Sequence, residues 1–274
     1  MIDNAAFSRL GFGVTGPHCG LGASRSLTRD MIREAVRLGV TTFDTGPAYG
    51  NGEAEHRLGD ALKTLPRERA FVITKAGIGP HRRRDFSPGG VEMSLKASLA
   101  RLKLDRIDLL LLHGPSPDEM SKRLIRRLRA FVERGMLGAI GVCGRGPELD
   151  HAIGTGAFDA IMAPVHAQLA ENERDRLIRA RQSGHTIIGI EAMAGAAAPL
   201  RLPRSRGDIW YLARSLKQRA TGTAPAPSSA SKTDGLKWAI QSGLADSVIC
   251  LTTRTPHLAA NARLAGLEAS APAH

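Results

Sequence analysis

The stretch Phe43-Asp44-Thr45-Gly46-Pro47-Ala48-Tyr49-Gly50 decides the fold. A short apolar run ends on an acid, breaks into Gly and Pro, and brings a tyrosine in the turn that follows. Two further segments repeat the arrangement. Val72-Ile73-Thr74-Lys75-Ala76-Gly77 carries a lysine at its break, and Leu110-Leu111-Leu112-His113-Gly114 a histidine. A parallel β/α barrel delivers catalytic side chains in this way, at the C-terminal ends of successive strands. The chain has only two tyrosines, and one of them sits here.

Working outward, eight apolar, β-branched runs alternate with eight helical patterns. The strand segments are 8–14, 41–45, 70–74, Ile107–Leu112, Gly138–Val142, Phe158–Ala163, Thr186–Glu191 and Ser247–Leu251. The helical patterns cover 27–38, 52–64, 91–102, 118–134, 147–153, 171–182, about 232–242 and 255–265. Eight repeats close an α/β (β/α)8 TIM barrel, whereas a doubly wound sheet usually has five or six strands. Capping hydroxyls mark helix starts at Ser26-Leu27-Thr28 and at Thr255-Pro256. The 274 residues suit one barrel spanning 1–274, because barrels of about 250 residues form single domains. Residues 196–231 fall outside the pattern. They hold the Trp210-Tyr211 pair and an Ala/Pro/Ser-rich run at 220–230, and read as a flexible connection on the catalytic face.

At this point the chain resembles the aldo-keto reductase family, in which Asp, Tyr, Lys and His follow one another at strand ends like these. The best-matching stretch runs through Asp44, Tyr49, Gly50, Glu53, Leu58 and Gly59, and the resemblance covers residues 8 to 266. It implies NADPH-dependent reduction of an aldehyde or ketone. Tyr49 would be the general acid, assisted by Lys75; Asp44 would hold Lys75, and His113 would orient the carbonyl. A free phenol has a pKa near 10, and an adjacent ammonium favours the phenolate, so Lys75 is expected to bring Tyr49 down. Glu53 and Glu55 open the next helix and read as structural, where carboxylates suit the macrodipole.

The family binds its cofactor without a Gly-x-Gly-x-x-Gly motif, and none is present. The resemblance places the adenosine phosphates at Thr252, Thr253, Arg254, His257 and Asn261. Helix N-terminal amides bind anions, and Arg254 can fork onto a 2′-phosphate, which favours NADPH. The nicotinamide end departs from the family pattern. Cys143-Gly144 stands for Ser-Asn, Met162 for Gln, and Glu191 for the ring-stacking Tyr. At about 1 kcal/mol per hydrogen bond, the losses would weaken binding roughly tenfold to a hundredfold. Glu191 either stabilises the cationic, oxidised ring or pairs with an arginine such as Arg145. Trp210 and Tyr211 are the aromatic candidates for a substrate pocket.

Composition narrows the rest. Net charge is +12, yet the basic clusters at 81–84 and 123–129 are not interleaved with aromatics, so a solvated basic surface is expected rather than a nucleic-acid site. No apolar run reaches the roughly 18 residues that span a bilayer, and no leader is visible. Three cysteines without ligand spacing read as reduced thiols of a cytoplasmic protein, and no metal cluster is expected. Short loops suggest an open site, and the resemblance implies a small-molecule carbonyl substrate, sugar-like or a general aldehyde. Two other readings stay open: a non-catalytic cofactor-binding or regulatory barrel, and an acid/base lyase or epimerase without hydride transfer.

Overall fold

The computed structural model describes residues 2, 7–194, 206–220 and 232–268. Strands β1 (Leu10–Gly13), β2 (Thr42–Asp44), β3 (Phe71–Ala76) and β4 (Ile107–His113) lead into β5 (Leu137–Cys143), β6 (Ala160–Pro164), β7 (Thr186–Ile190) and β8 (Ser247–Cys250). They pair in chain order, every pair parallel, and β1 closes on β8 through Leu10↔Val248. The helices are α1 (Arg25–Arg37), α2 (Glu53–Leu62), α3 (Pro88–Leu102), α4 (Lys122–Glu133) and α5 (Pro147–Thr155), then α6 (Glu171–Gln182), α7 (Arg206–Ala220), α8 (Lys232–Gln241) and α9 (Thr255–Leu264). The result is a single-domain (β/α)8 barrel.

The period-2 alternation of each strand sorts the residues into two layers. One buried cluster fills the barrel with Phe71, Ile73, Leu109, Leu111, Ala139, Cys143, Ala160, Met162 and Ile188. The intervening residues, among them Phe43, Val72, Leu110, Leu112, Ile140 and Ile161, belong to the larger cluster with the helices. The alternation carries Asp44, Lys75 and His113 to the C-terminal mouth on the inward parity. Register places His113 beside Cys143 and Cys143 beside Met162.

Several helix starts differ from the sequence expectation. Helix α1 begins two residues early because Ser24, not Ser26, accepts the Leu27 amide at 3.1 Å. Helix α3 begins at Pro88 because Ser87 caps Gly90 at 3.0 Å. Thr255 does not cap α9; Arg254 is the cap residue and no side chain accepts there. The expected flexible connection contains α7, with Asp208 in its first turn. Its helix formers stand beside low-complexity sequence that hid them. The remainder of 196–231, the Ala/Pro/Ser run among it, lies outside the described residues. Among the described residues no helix is long and apolar enough to cross a membrane.

Candidate active site

The four residues converge as the strand ends required. Lys75 is 1% exposed and Asp44 4%, and the ammonium donates to Asp44 Oδ1 and, at 2.8 Å, to the carbonyl of Thr45. Tyr49 lies on this pair, its ring centroid 5.0 Å from Lys75 Nζ. His113 meets the tyrosine edge to face, with centroids 5.9 Å apart and planes at 79°.

The local backbone explains how Tyr49 arrives there. Its amide donates to Gly46 at 3.0 Å, and the chain then turns left-handed through Gly50, Asn51 and Gly52. A Cβ on Gly50 would collide with the carbonyl of Cys19, so glycine is required at this approach. Behind the site, Glu55 is fully buried; it accepts from Thr74 at 2.6 Å and from Arg101 at 2.6 Å, fixing the strand position before Lys75. Glu53 pairs with Arg25 and Arg57, both at 2.7 Å. Both glutamates are structural, as read from the sequence.

The electrostatics correct one expectation. Burial pushes the Tyr49 phenol up to about 12, and the neighbouring Lys75 ammonium only partly offsets it. Burial also opposes the charge on Lys75, but Asp44, with Tyr49 and Cys143, outweighs it, and Lys75 lies above the usual lysine range. His113 falls to about 3, through burial first and then the charges of Lys75, Arg145 and Arg82. It is a neutral imidazole, and its Nδ1 is buried without a hydrogen-bond partner.

The segments expected to meet the two ends of a dinucleotide cofactor differ in their surroundings. At the phosphate end the donor set fits, since α9 starts uncapped beside the exposed guanidinium of Arg254 and the half-buried Thr253. Thr252 is 6% exposed; its hydroxyl accepts from Arg254 N at 3.1 Å, and its carbonyl meets the buried His18 ring at 2.8 Å. His18 and Arg57 were not legible as supports here, because the carbonyls they reach, Thr252 for His18 and Ala23 for Arg57, lie 234 and 34 residues away in sequence. Arg254 holds both carboxylate oxygens of Asp208 on α7 at 2.9 Å. Asn261 is engaged with the buried thiol of Cys250, and exposed His257 donates its amide to Arg254 at 3.1 Å.

The nicotinamide end offers little. Cys143 is 5% exposed, with burial raising its thiol to about 11, and Met162 is 1% exposed in the barrel interior. Gly144 has only its amide, which already donates to Met162 at 3.0 Å. Of the two roles open to Glu191, the ion pair with Arg145 is the one formed, from a left-handed backbone at φ 59°. A carboxylate so paired is largely neutralised toward a neighbouring ring. Trp210 packs over Gly16 in the loop after β1, where a Cβ would lie 2.9 Å from its ring, and stands 5.2 Å from Tyr211. That places the aromatic pair toward the β1 and β8 loops. Among the described residues no group of His, Cys, Asp or Glu could hold a metal ion.

A closed parallel barrel with an acid, a phenol, an ammonium and a neutral imidazole at its C-terminal mouth defines a class of barrel oxidoreductases. The chain belongs to the aldo/keto reductase family, whose model matches residues 9–199. It is an oxidoreductase of that family, acting on CH–OH and carbonyl groups with a nicotinamide dinucleotide. It is similar to D-threo-aldose 1-dehydrogenase of a Pseudomonas species, 28% identical over 93% of this chain and 91% of that protein. It is also similar to NADH-specific methylglyoxal reductase of Escherichia coli, 36% identical over 40% of this chain and 39% of that protein. Among solved structures it matches a putative aldo-keto reductase from Pseudomona aeruginosa, with TM-score 0.72, 24% identity and coverage of 94% of this chain and 89% of that one. An aldo-keto reductase from Klebsiella pneumoniae in complex with NADPH matches with TM-score 0.68, 20% identity and coverage of 96% and 87%. These two likenesses bear on the fold.

Proposed function

We propose that the chain reduces an aldehyde or ketone of sugar-like size to the alcohol with NADPH, Tyr49 serving as general acid. The observation that carries this reading is the buried Asp44–Lys75 pair set against Tyr49, with a neutral His113 facing the same phenol. When bound, the reduced nicotinamide supplies a hydride to the carbonyl carbon. Tyr49 donates its proton to the carbonyl oxygen as charge develops there. The phenolate that results lies against Lys75, whose ammonium Asp44 keeps oriented. A pKa of about 12 makes the phenol a weak acid in the resting cleft, so Lys75 acts chiefly by stabilising the phenolate as it forms. His113, neutral with one donor and one acceptor nitrogen, supplies a hydrogen bond to the same oxygen without adding charge.

Arg254, Thr253 and the start of α9 would hold the adenosine phosphates, with Thr252, His257 and Asn261 framing that segment. Cys143, Gly144, Met162 and Glu191 would border the nicotinamide. Trp210 and Tyr211 would form a wall on the α7 side. The Pseudomonas relative's name specifies an aldose, which supports a sugar-like substrate; the Escherichia coli relative is named NADH-specific, so the choice of NADPH rests on Arg254. Three free cysteines, two of them buried, suit a cytoplasmic setting. Fluorescence titration of NADPH into wild type and Arg254→Ala tests the cofactor assignment. The expected result is binding weakened about tenfold or more by loss of a charge-assisted contact. Equal dissociation constants would remove Arg254 from the site.

A further inference from the structure

The hairpin after β3 carries a charge that the chemistry above leaves unused. Ile78 and Arg84 form an isolated antiparallel bridge, and Gly79 donates to Arg83 at 2.9 Å. The turn between them bends through left-handed backbone at two successive non-glycine residues, His81 at φ 54° and Arg82 at φ 58°. Such a turn persists only where its surroundings hold it. It is held from both flanks. The His81 amide donates at 2.7 Å to Asn51 Oδ1, two residues beyond Tyr49. Arg84 donates at 3.0 Å to the carbonyl of Gly114, the residue after His113. The hairpin is thus tied at its tip to the loop of the general acid and at its base to the loop of the imidazole.

Four arginines stand on this rim and are not equivalent: exposed Arg83, unlike Arg82, is not among the charges that act on His113. Arg84 is consumed by Glu119 and by stacking 4.6 Å over Phe86. Arg145, across the mouth, is neutralised by Glu191. Arg82 is exposed, and its guanidinium makes no hydrogen bond or ion pair with any described residue. Its charge nevertheless reaches the cleft, being one of those that depress His113. An unpaired guanidinium at the tip of this hairpin, with its charge reaching the cleft, is a fork suited to a carboxylate or a phosphate.

We propose that Arg82 anchors an anionic group, a carboxylate or a phosphate, on the carbonyl substrate, so that the preferred substrates are acidic aldehydes or ketones. This rests on the reading of the four-residue site as a carbonyl reductase.

Two matched pairs test it: 4-carboxybenzaldehyde against 4-nitrobenzaldehyde, and glyceraldehyde 3-phosphate against glyceraldehyde. Wild type should favour the charged member of at least one pair. Arg82→Gln should lower the charged-over-neutral ratio of kcat/KM about tenfold or more, through KM, and added salt should erode the preference. Arg83→Gln, which removes the same charge from the neighbouring exposed position, should leave the ratio within about twofold. A loss in one pair alone identifies the anion as carboxylate or phosphate. A ratio unchanged by Arg82→Gln, or lowered equally by Arg83→Gln, overturns the subsite. Calorimetric titration of the same four aldehydes into wild type and Arg82→Gln separates the two readings. If none is reduced, the reductase reading fails. The ratio of dissociation constants still decides the anchor, which stands on a tenfold loss and falls on no change.

Discussion

At the scale of single residues, burial decides more than proximity. Lys75 keeps its charge in a site it barely shares with solvent because Asp44 sits against it, whereas His113 loses its charge because its cationic neighbours add to the cost of burial. The histidine has a consequence for stability. Its pKa is about 3 in the fold against 6.5 as a free group, so between those values the unfolded chain binds a proton that the folded one refuses. Stability contributed this way is present above pH 6.5 and is lost as pH falls toward 3. Thermal melts from pH 7 to pH 4 should therefore show a smaller loss of Tm for His113→Gln than for wild type; equal losses would place the imidazole in a wetter site. The identities of the four residues were legible because each stands where an apolar run breaks. The upward shift of Tyr49 was not, since a sequence shows that an ammonium is near a phenol but not how dry the phenol is.

At the scale of elements, caps and pairings across distant loops separate expectation from structure. Ser24 and Ser87 cap helices that hydrophobic periodicity alone starts later, because the first helical turn needs no apolar residue. Helix α7 was masked by its low-complexity neighbours, and with it the partner of Arg254. Asp208 is 46 residues from Arg254 in sequence, and no local pattern connects them. The pair is half-exposed, so breaking it should cost stability by no more than about 1 kcal/mol. Its effect belongs to the cofactor. Asp208→Asn frees the guanidinium for a 2′-phosphate and should tighten NADPH a few-fold relative to NADH in paired fluorescence titrations. An unchanged ratio would mean that the ion pair does not compete with the phosphate. Removing Glu55 acts differently, because Arg101 and Thr74 would be left inside without their acceptor. Glu55→Ala should destabilise the protein by about 3–5 kcal/mol in urea unfolding, and a loss under 1 kcal/mol would show that the network is not needed.

At the scale of the whole molecule, eight repeats of strand and helix were enough to foresee closure, since a doubly wound sheet usually has five or six strands, whereas eight parallel strands paired in chain order return to the first. The inward parity that puts Asp44, Lys75, His113, Cys143 and Met162 around one mouth follows from the same alternation. Charge also acts at this scale. Many of the basic residues are tied up in surface pairs, such as Arg127 with Glu92 and Arg129 with Asp159. The remaining net charge of +12 still favours an anionic cofactor over long range, an advantage that salt removes. NADPH affinity should fall more steeply than NADH affinity between low and physiological ionic strength. The most direct test of carbonyl reduction at this site is the consumption of NADPH, followed by its absorbance, with a broad aldehyde panel in wild type and Tyr49→Phe. The expected result is turnover by wild type and a loss of about a hundredfold or more in kcat with NADPH binding retained in Tyr49→Phe; equal turnover by the two proteins would contradict the assignment of Tyr49 as the proton donor.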